Sequence, residues 1–330
     1  MSMSVRQVGK EAARDFAGPR FQPYRQAEQE FLDHYGLEPT ERFVQLDSPA
    51  VRLRVLEFGS GEPILFVHGT AGAAPVWAPL VHELKGFRCL VLDRPGWALS
   101  SPIDYSKREY KALVGDVLVG TLDALGVDRA HVIGASIGDV WALSLAAGHP
   151  SRVARIGLMG GGPLVSEIRV PPFIRVISSP IGALMVRLPE KPGRVRSIMR
   201  GNGHGASLDA GRLDAFIKWR VALGSETHSL RHERAMVRSI VNWRRGSFRS
   251  GLLFEDAELA GIQQPALMVY GTGDPVGSVD VWRRAIGLLP QGELRVVDHA
   301  GHVPWLDDPE QVASHVRRFL RDTQEAAGSG

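Results

Sequence analysis

Apolar residues fall in two rhythms along this chain. Largely apolar runs at Pro63–Val67, Cys89–Leu92, Ala130–Ile133, Val153–Met159 and Ala266–Tyr270, broken only by His131 and Arg155, read as short strands buried on both faces. Glu293–Val297 reads as a last strand. Segments with helical spacing lie between and after them, around Val76–Leu84, Asp139–Ala147 and Pro309–Arg321. This alternation predicts a mostly parallel central sheet flanked by helices, with reactive loops gathered at the C-terminal ends of the strands. Two earlier segments differ. In Arg42–Leu46 and Val51–Phe58, the second alternates Val51, Leu53 and Val55 against Arg52 and Arg54, the pattern of a half-buried antiparallel pair at a sheet edge. A helix over Tyr24–Tyr35 precedes them, with Phe31, Leu32 and Tyr35 on one side.

After Gly160-Gly161-Gly162-Pro163 the strand rhythm stops until about Ala266. Helical patterns take its place around Phe173–Leu188, Leu213–Leu223 and Leu230–Trp243, interrupted by Pro180, Pro189, Pro192 and the glycines of Gly201–Gly205. The chain therefore divides into an arm with a helix (1–44), a core in two pieces (45–162 and 251–322), a helical insertion (163–250) and a flexible tail (323–330).

Charge separates the insertion from the rest. It holds 16 Lys and Arg against 6 Asp and Glu, a net +10 in a chain whose total is +3. A solvated basic face is one reading; arginines that steer or bind an acidic substrate are the other. With no aromatic stacking platform among the arginines, nucleic acid is not an expected partner. No apolar run is long and charge-free enough for stable membrane insertion. A single cysteine, Cys89, and no recognisable leader fit a cytoplasmic protein.

Chemistry enters at Gly134-Ala135-Ser136-Ile137-Gly138, directly between a strand and a helix. Serine at such a turn, with glycine two positions to either side, is the arrangement that exposes a nucleophilic hydroxyl. The base it needs is His302 in Asp298-His299-Ala300-Gly301-His302, where Gly301 lets the chain turn sharply; His299 is its competitor. The acid is Asp274 in Gly271-Thr272-Gly273-Asp274-Pro275, with Asp280 in reserve. Oxyanion donors are expected from the N–H groups of Ile137 and of Thr70 in the loop His68–Ala73. His68 itself reads as a holder of that loop, and Asp139 as a first-turn acid favoured by the helix dipole.

With the order Ser136, Asp274, His302 on these loops, the chain resembles the α/β-hydrolase superfamily, of the kind that carries a cap, over residues 45–322. The likeness rests on the His68-Gly69 loop, the Asp93-Arg94-Pro95-Gly96-Trp97 turn, the serine elbow and the Asp274 and His302 loops. It implies the α/β-hydrolase fold with residues 163–250 as cap. Serine stands where the family's haloalkane dehalogenases and epoxide hydrolases have aspartate, so those activities are not expected. The chemistry expected is acyl transfer to water with no cofactor or metal, on a small, largely apolar or acidic molecule. A carboxylic ester or lactone leads; the alternatives are a carbon–carbon bond hydrolase of the meta-cleavage type, or a ligand-binding member of the fold with little turnover. Trp77, Trp97, Ile137, Phe173, Leu184, Met185, Phe216 and Trp219 are the expected apolar pocket.

Overall fold

A computed structural model describes residues 18–70 and 72–321. In chain order its elements are α1 (Gln22–His34), β1 (Thr40–Asp47), β2 (Ala50–Phe58), β3 (Glu62–Val67), α2 (Ala78–Glu83), β4 (Phe87–Leu92), α3 (Tyr110–Ala124), β5 (Ala130–Ala135), α4 (Ile137–Gly148) and β6 (Val153–Met159). Then come α5 (Pro172–Ser178), α6 (Pro180–Met185), α7 (Pro192–Gly201), α8 (Gly205–Asp209), α9 (Asp214–Glu226), α10 (Ser229–Ile240) and a small hairpin, β7 (Val241–Asn242) with β8 (Ser247–Phe248). The chain closes with α11 (Asp256–Ala260), β9 (Ala266–Gly271), α12 (Val279–Gly287), β10 (Gly292–Val297) and α13 (Pro309–Arg321).

Eight strands form one sheet in the order β1-β2-β4-β3-β5-β6-β9-β10. All pairings from β4 to β10 are parallel, and β2 runs antiparallel to both of its neighbours. The central strands are largely apolar because both faces are covered: every residue of β5 and β9 is buried. One apolar layer packs α3, α4 and α12 on one face, and a second packs α1, α2 and α13 on the other. The hairpin of β7 and β8 departs from the expectation that no strand intervenes before Ala266. Gly246, at φ +64°, makes its turn.

The edge pair also departs from simple alternation. Arg54 does not face water: it is buried, and its guanidinium pairs with Glu28 of α1, with Glu41 at 2.6 Å and with Asp93 at 3.2 Å. A buried cation holds its place when carboxylates surround it. Burial pushes the Asp93 carboxyl up to about 6, with Arg54 opposing that rise. The cluster ties the N-terminal helix to the sheet, and Phe31 of that helix stacks on Trp219 of α9 at 5.3 Å.

Candidate active site

Ser136 sits between the last residue of β5 and the first of α4 with φ +54° and ψ −117°. A non-glycine residue held there is strained, and such strain persists where the surroundings over-determine it. The glycines explain how. A side chain on Gly134 would overlap the Gly138 carbonyl, and one on Gly138 would overlap the Val67 carbonyl. The turn thus folds tightly against itself and against β3, leaving the serine half-exposed. Because α4 begins at Ile137, that residue's N–H has no acceptor within the helix and is free to serve a ligand.

The structure brings His302 to Asp274. Nδ1 of His302 lies 2.8 Å from Oδ2 of Asp274, whose side chain is fully buried while that of His302 is 13% exposed. Asp274 is held on both oxygens: the Gly161 N–H donates to Oδ2 at 3.1 Å and the Val276 N–H to Oδ1 at 2.8 Å. Neither reserve group joins them. His299 is exposed, its N–H donating to Thr272 Oγ1, and Asp280 is an exposed partner of Arg283.

Ser136, His302, Thr70 and Ile137 line a single cavity roofed by α5, α7, α9 and α10. Its walls are mostly apolar and include Val76, Ile137, Ile168, Val237, Ile240 and Trp305. Of the expected apolar lining, Phe173 and Phe216 are present as well. Trp77, Trp97, Met185, Trp219 and Leu184 are not. Trp77 stacks on Trp305 from behind at 4.1 Å, Trp97 covers the Arg94 guanidinium at 4.1 Å, and Trp219 is taken by Phe31. Met185 is half-buried on α6 outside the cavity lining, and Leu184 faces outward at 66% exposure.

His68 and Arg94 fix the loop that carries Thr70. The Arg94 N–H donates to His68 Nε2 at 3.1 Å, and its guanidinium donates to the Gly69 carbonyl at 2.8 Å. Burial first, then the Arg94 charge, drives the His68 pKa well down, so the ring stays neutral and can accept. Asp139 is fully buried rather than a solvated first-turn acid. Its Oδ1 accepts from the Met159 N–H at 3.2 Å, which braces the elbow helix to the end of β6. Burial raises its carboxyl well above the usual range, only partly offset by the Met159 and Gly162 amides, and Asp274 adds to the rise.

Two groups of site residues carry no recognisable motif. In the first, Arg220 of α9 reaches the cavity with its side chain 6% exposed. Its Nη1 has no hydrogen bond, and the Glu190 carboxylate is 3.8 Å away, shared with Arg194 at 3.5 Å. In the second, the turn between α7 and α8 grips the histidine loop. Three successive N–H groups are held: Gly301 by Asp307 Oδ2 (2.7 Å), His302 by the Asn202 carbonyl (2.8 Å) and Val303 by His204 Nε2 (3.3 Å). Fully buried His204 also bonds Asp307 through Nδ1 at 2.7 Å, and Ser207 donates to the same carboxylate at 2.5 Å.

Comparison with known proteins supplies the family. Residues 64–315 match the model of the alpha/beta hydrolase family. The chain belongs to that family. A curated relative from Dechloromonas aromatica (strain RCB), 2-hydroxy-6-oxononadienedioate/2-hydroxy-6-oxononatrienedioate hydrolase 1, is 28% identical over 85% of this chain and 95% of its own. Among solved structures, a putative lipase from Acinetobacter baumannii AYE superposes with a TM-score of 0.71 at 18% identity, covering 92% of this chain and 97% of that one. A 2-hydroxy-6-oxo-6-phenylhexa-2,4-dienoate hydrolase from Rhodococcus sp. strain RHA1 gives 0.69 at 18% identity, over 86% of this chain and 99% of that one. The fold of this alpha/beta hydrolase is thus shared with enzymes that cleave different bonds.

Proposed function

We propose that this alpha/beta hydrolase cleaves a carbon–carbon bond beside a ketone in an acidic, otherwise apolar molecule of the 2-hydroxy-6-oxodienoate class. The observation that carries this reading is Arg220, a buried guanidinium whose Nη1 makes no hydrogen bond and stands 3.8 Å from the Glu190 carboxylate, in the wall of the cavity that holds Ser136 and His302. A guanidinium in an apolar cavity favours a ligand with a matching carboxylate. The substrate named for the curated relative carries both a ketone and carboxylates.

In the mechanism, His302 removes the Ser136 proton and the alkoxide attacks the ketone carbon, while the Thr70 and Ile137 N–H groups hold the oxyanion. Collapse breaks the adjacent carbon–carbon bond. The dienol has first ketonised, its 2-hydroxyl proton moving to the carbon next to the reacting ketone, so the electron pair of the broken bond passes into the resulting oxo-enoate as a dienolate, which takes the proton back from His302. Water, activated by the same histidine, then hydrolyses the acyl-serine. Asp274, accepting from His302 Nδ1, keeps Nε2 as the basic nitrogen. Arg220 holds the carboxylate end.

The test pairs a synthetic 2-hydroxy-6-oxodienoate, followed by loss of its absorbance, with a neutral nitrophenyl ester. Arg220→Met should raise KM for the dienoate by roughly tenfold or more and leave the ester within about twofold, since a lost charge-assisted contact costs about 1.5–3 kcal/mol. An equal effect on both, or no turnover of the dienoate, refutes the reading. A second reading, hydrolysis of a carboxylic ester or lactone, draws support from the predominantly aliphatic walls. It would be favoured by ester turnover that is indifferent to Arg220.

A further inference from the structure

Exposed apolar surface on this protein is concentrated in one stretch of the cap. Phe173 (40%), Val176 (42%), Ile181 (68%), Leu184 (66%) and Leu188 (54%) stand in water on α5, α6 and the turn after them. Among the described residues, Val296 at 36% is the other large hydrophobic side chain so exposed. Inward-facing Ile174, Ser178 and Gly182 bury the opposite side of the same helices. The outward residues therefore serve no core.

Arginines surround this patch. Arg175 and Arg187 lie within it, and Arg234 and Arg238 come from α10, which packs beneath. None of the four forms an ion pair among the described residues. Arg175 bonds the backbone carbonyls of Trp243 and Arg244, and Arg234 that of Ser179, so their charges stay uncancelled. Arg187, Arg234 and Arg238 lie close enough for burial and mutual repulsion to lower the pKa of Arg234. The nearby carboxylates Glu190 and Glu233 are buried in the cap interior. An apolar face flanked by cations fits one kind of partner: a surface that offers hydrocarbon under negative headgroups.

We infer that the α5–α6 face of the cap docks on an anionic lipid surface. A second copy of the chain is a poorer occupant, because a symmetric contact would set these arginines against one another. Docking is shallow: α5 and α6 are only 7 and 6 residues long, and no helix among the described residues is long and apolar enough to cross a membrane. Phe173 of this face and inward-facing Ile174 both line the Ser136 cavity. Docking would set the cavity rim at the lipid boundary, where an apolar substrate could partition into it. The inference stands independently of the bond that is cleaved.

The experiment is flotation of the purified full chain with phosphatidylcholine vesicles, with and without phosphatidylglycerol, at low and high salt. Wild type should float with the anionic vesicles at low salt, and at least about tenfold less with neutral vesicles or at high salt, as expected for electrostatic attraction. Ile181→Glu with Leu184→Glu should abolish flotation, and Arg187→Gln with Arg238→Gln should weaken it similarly. All four side chains lie outside the cavity lining, so an unchanged rate of Ser136 labelling by a fluorophosphonate would confirm the fold of each variant. Three results would overturn the inference: no flotation of wild type with anionic vesicles; flotation unaffected by either double variant; or a solution dimer, by light scattering, that Ile181→Glu with Leu184→Glu dissociates.

Discussion

Replacing His204 tests whether the turn between α7 and α8 positions His302 for the proposed chemistry or merely fills space. The ring is fully buried and makes two bonds of different kinds. Nδ1 meets the Asp307 carboxylate at 2.7 Å and Nε2 accepts from the Val303 N–H at 3.3 Å. The first is charge-assisted and contributes about 1.5–3 kcal/mol; the second, neutral and long, contributes at most about 1 kcal/mol. His204→Ala should therefore cost about 2–4 kcal/mol, before the void left by the ring is counted. That cost can appear as lost global stability or as a loosened loop. Since Gly301, His302 and Val303 are all held at this junction, much of it should loosen the loop. Each ~1.4 kcal/mol that does so lowers the population of correctly placed His302 about tenfold.

We expect His204→Ala to slow fluorophosphonate labelling of Ser136 by about 10–100-fold, with kcat falling more than KM changes. His204→Gln, whose amide can both donate to Asp307 and accept from Val303, should recover most of the rate. Labelling kinetics, read beside urea denaturation, separate the two outcomes. If His204→Ala labels within about twofold of wild type while losing the full 2–4 kcal/mol of stability, the turn is packing only and the reasoning fails.

The remaining predictions concern buried charge. Asp139 has a folded-state pKa well above its unfolded value of about 3.9. Its stabilising contribution is therefore complete below that pH and declines as pH rises toward the folded value. Asp139→Asn, which cannot ionise, should gain stability relative to wild type as pH rises above the unfolded value toward the folded one, read as a growing difference in urea midpoint; a constant difference would contradict a buried, neutral acid. Arg54→Met strands Glu28 and Asp93 without their cation and should cost about 3–5 kcal/mol in chemical denaturation, with α1 undocking. A cost below about 1 kcal/mol would mean that the cluster contributes little to holding the arm.

What could be read in the sequence followed from local chemistry. The parallel strands were legible because burial on both faces leaves a largely apolar run, as in β9. The tight turn at Ser136 was legible because a side chain at position 134 or 138 would overlap backbone. Arg54 was not, because alternation assigns an arginine to solvent unless its partners are known, and Glu28 and Asp93 come from distant segments. The tryptophans failed for a related reason: Trp77, Trp97 and Trp219 pack against neighbours from distant segments, Trp305, Arg94 and Phe31 among them, away from the cavity. Arg220 is one of many cations in the cap, and nothing in its local sequence marks it as the one that faces the cavity. The Asn202–His204 grip was hidden in a glycine-rich break, whose meaning depends on a loop about a hundred residues later.

The central claim is that Ser136 is the nucleophile of a single cavity shared with His302. Intact-mass measurement after fluorophosphonate treatment tests it most directly. Wild type should gain one adduct, mapped by peptide digestion to Ser136, and Ser136→Ala should gain none while unfolding at an unchanged denaturant midpoint. An adduct on another residue, or an unmodified wild type, would contradict the account.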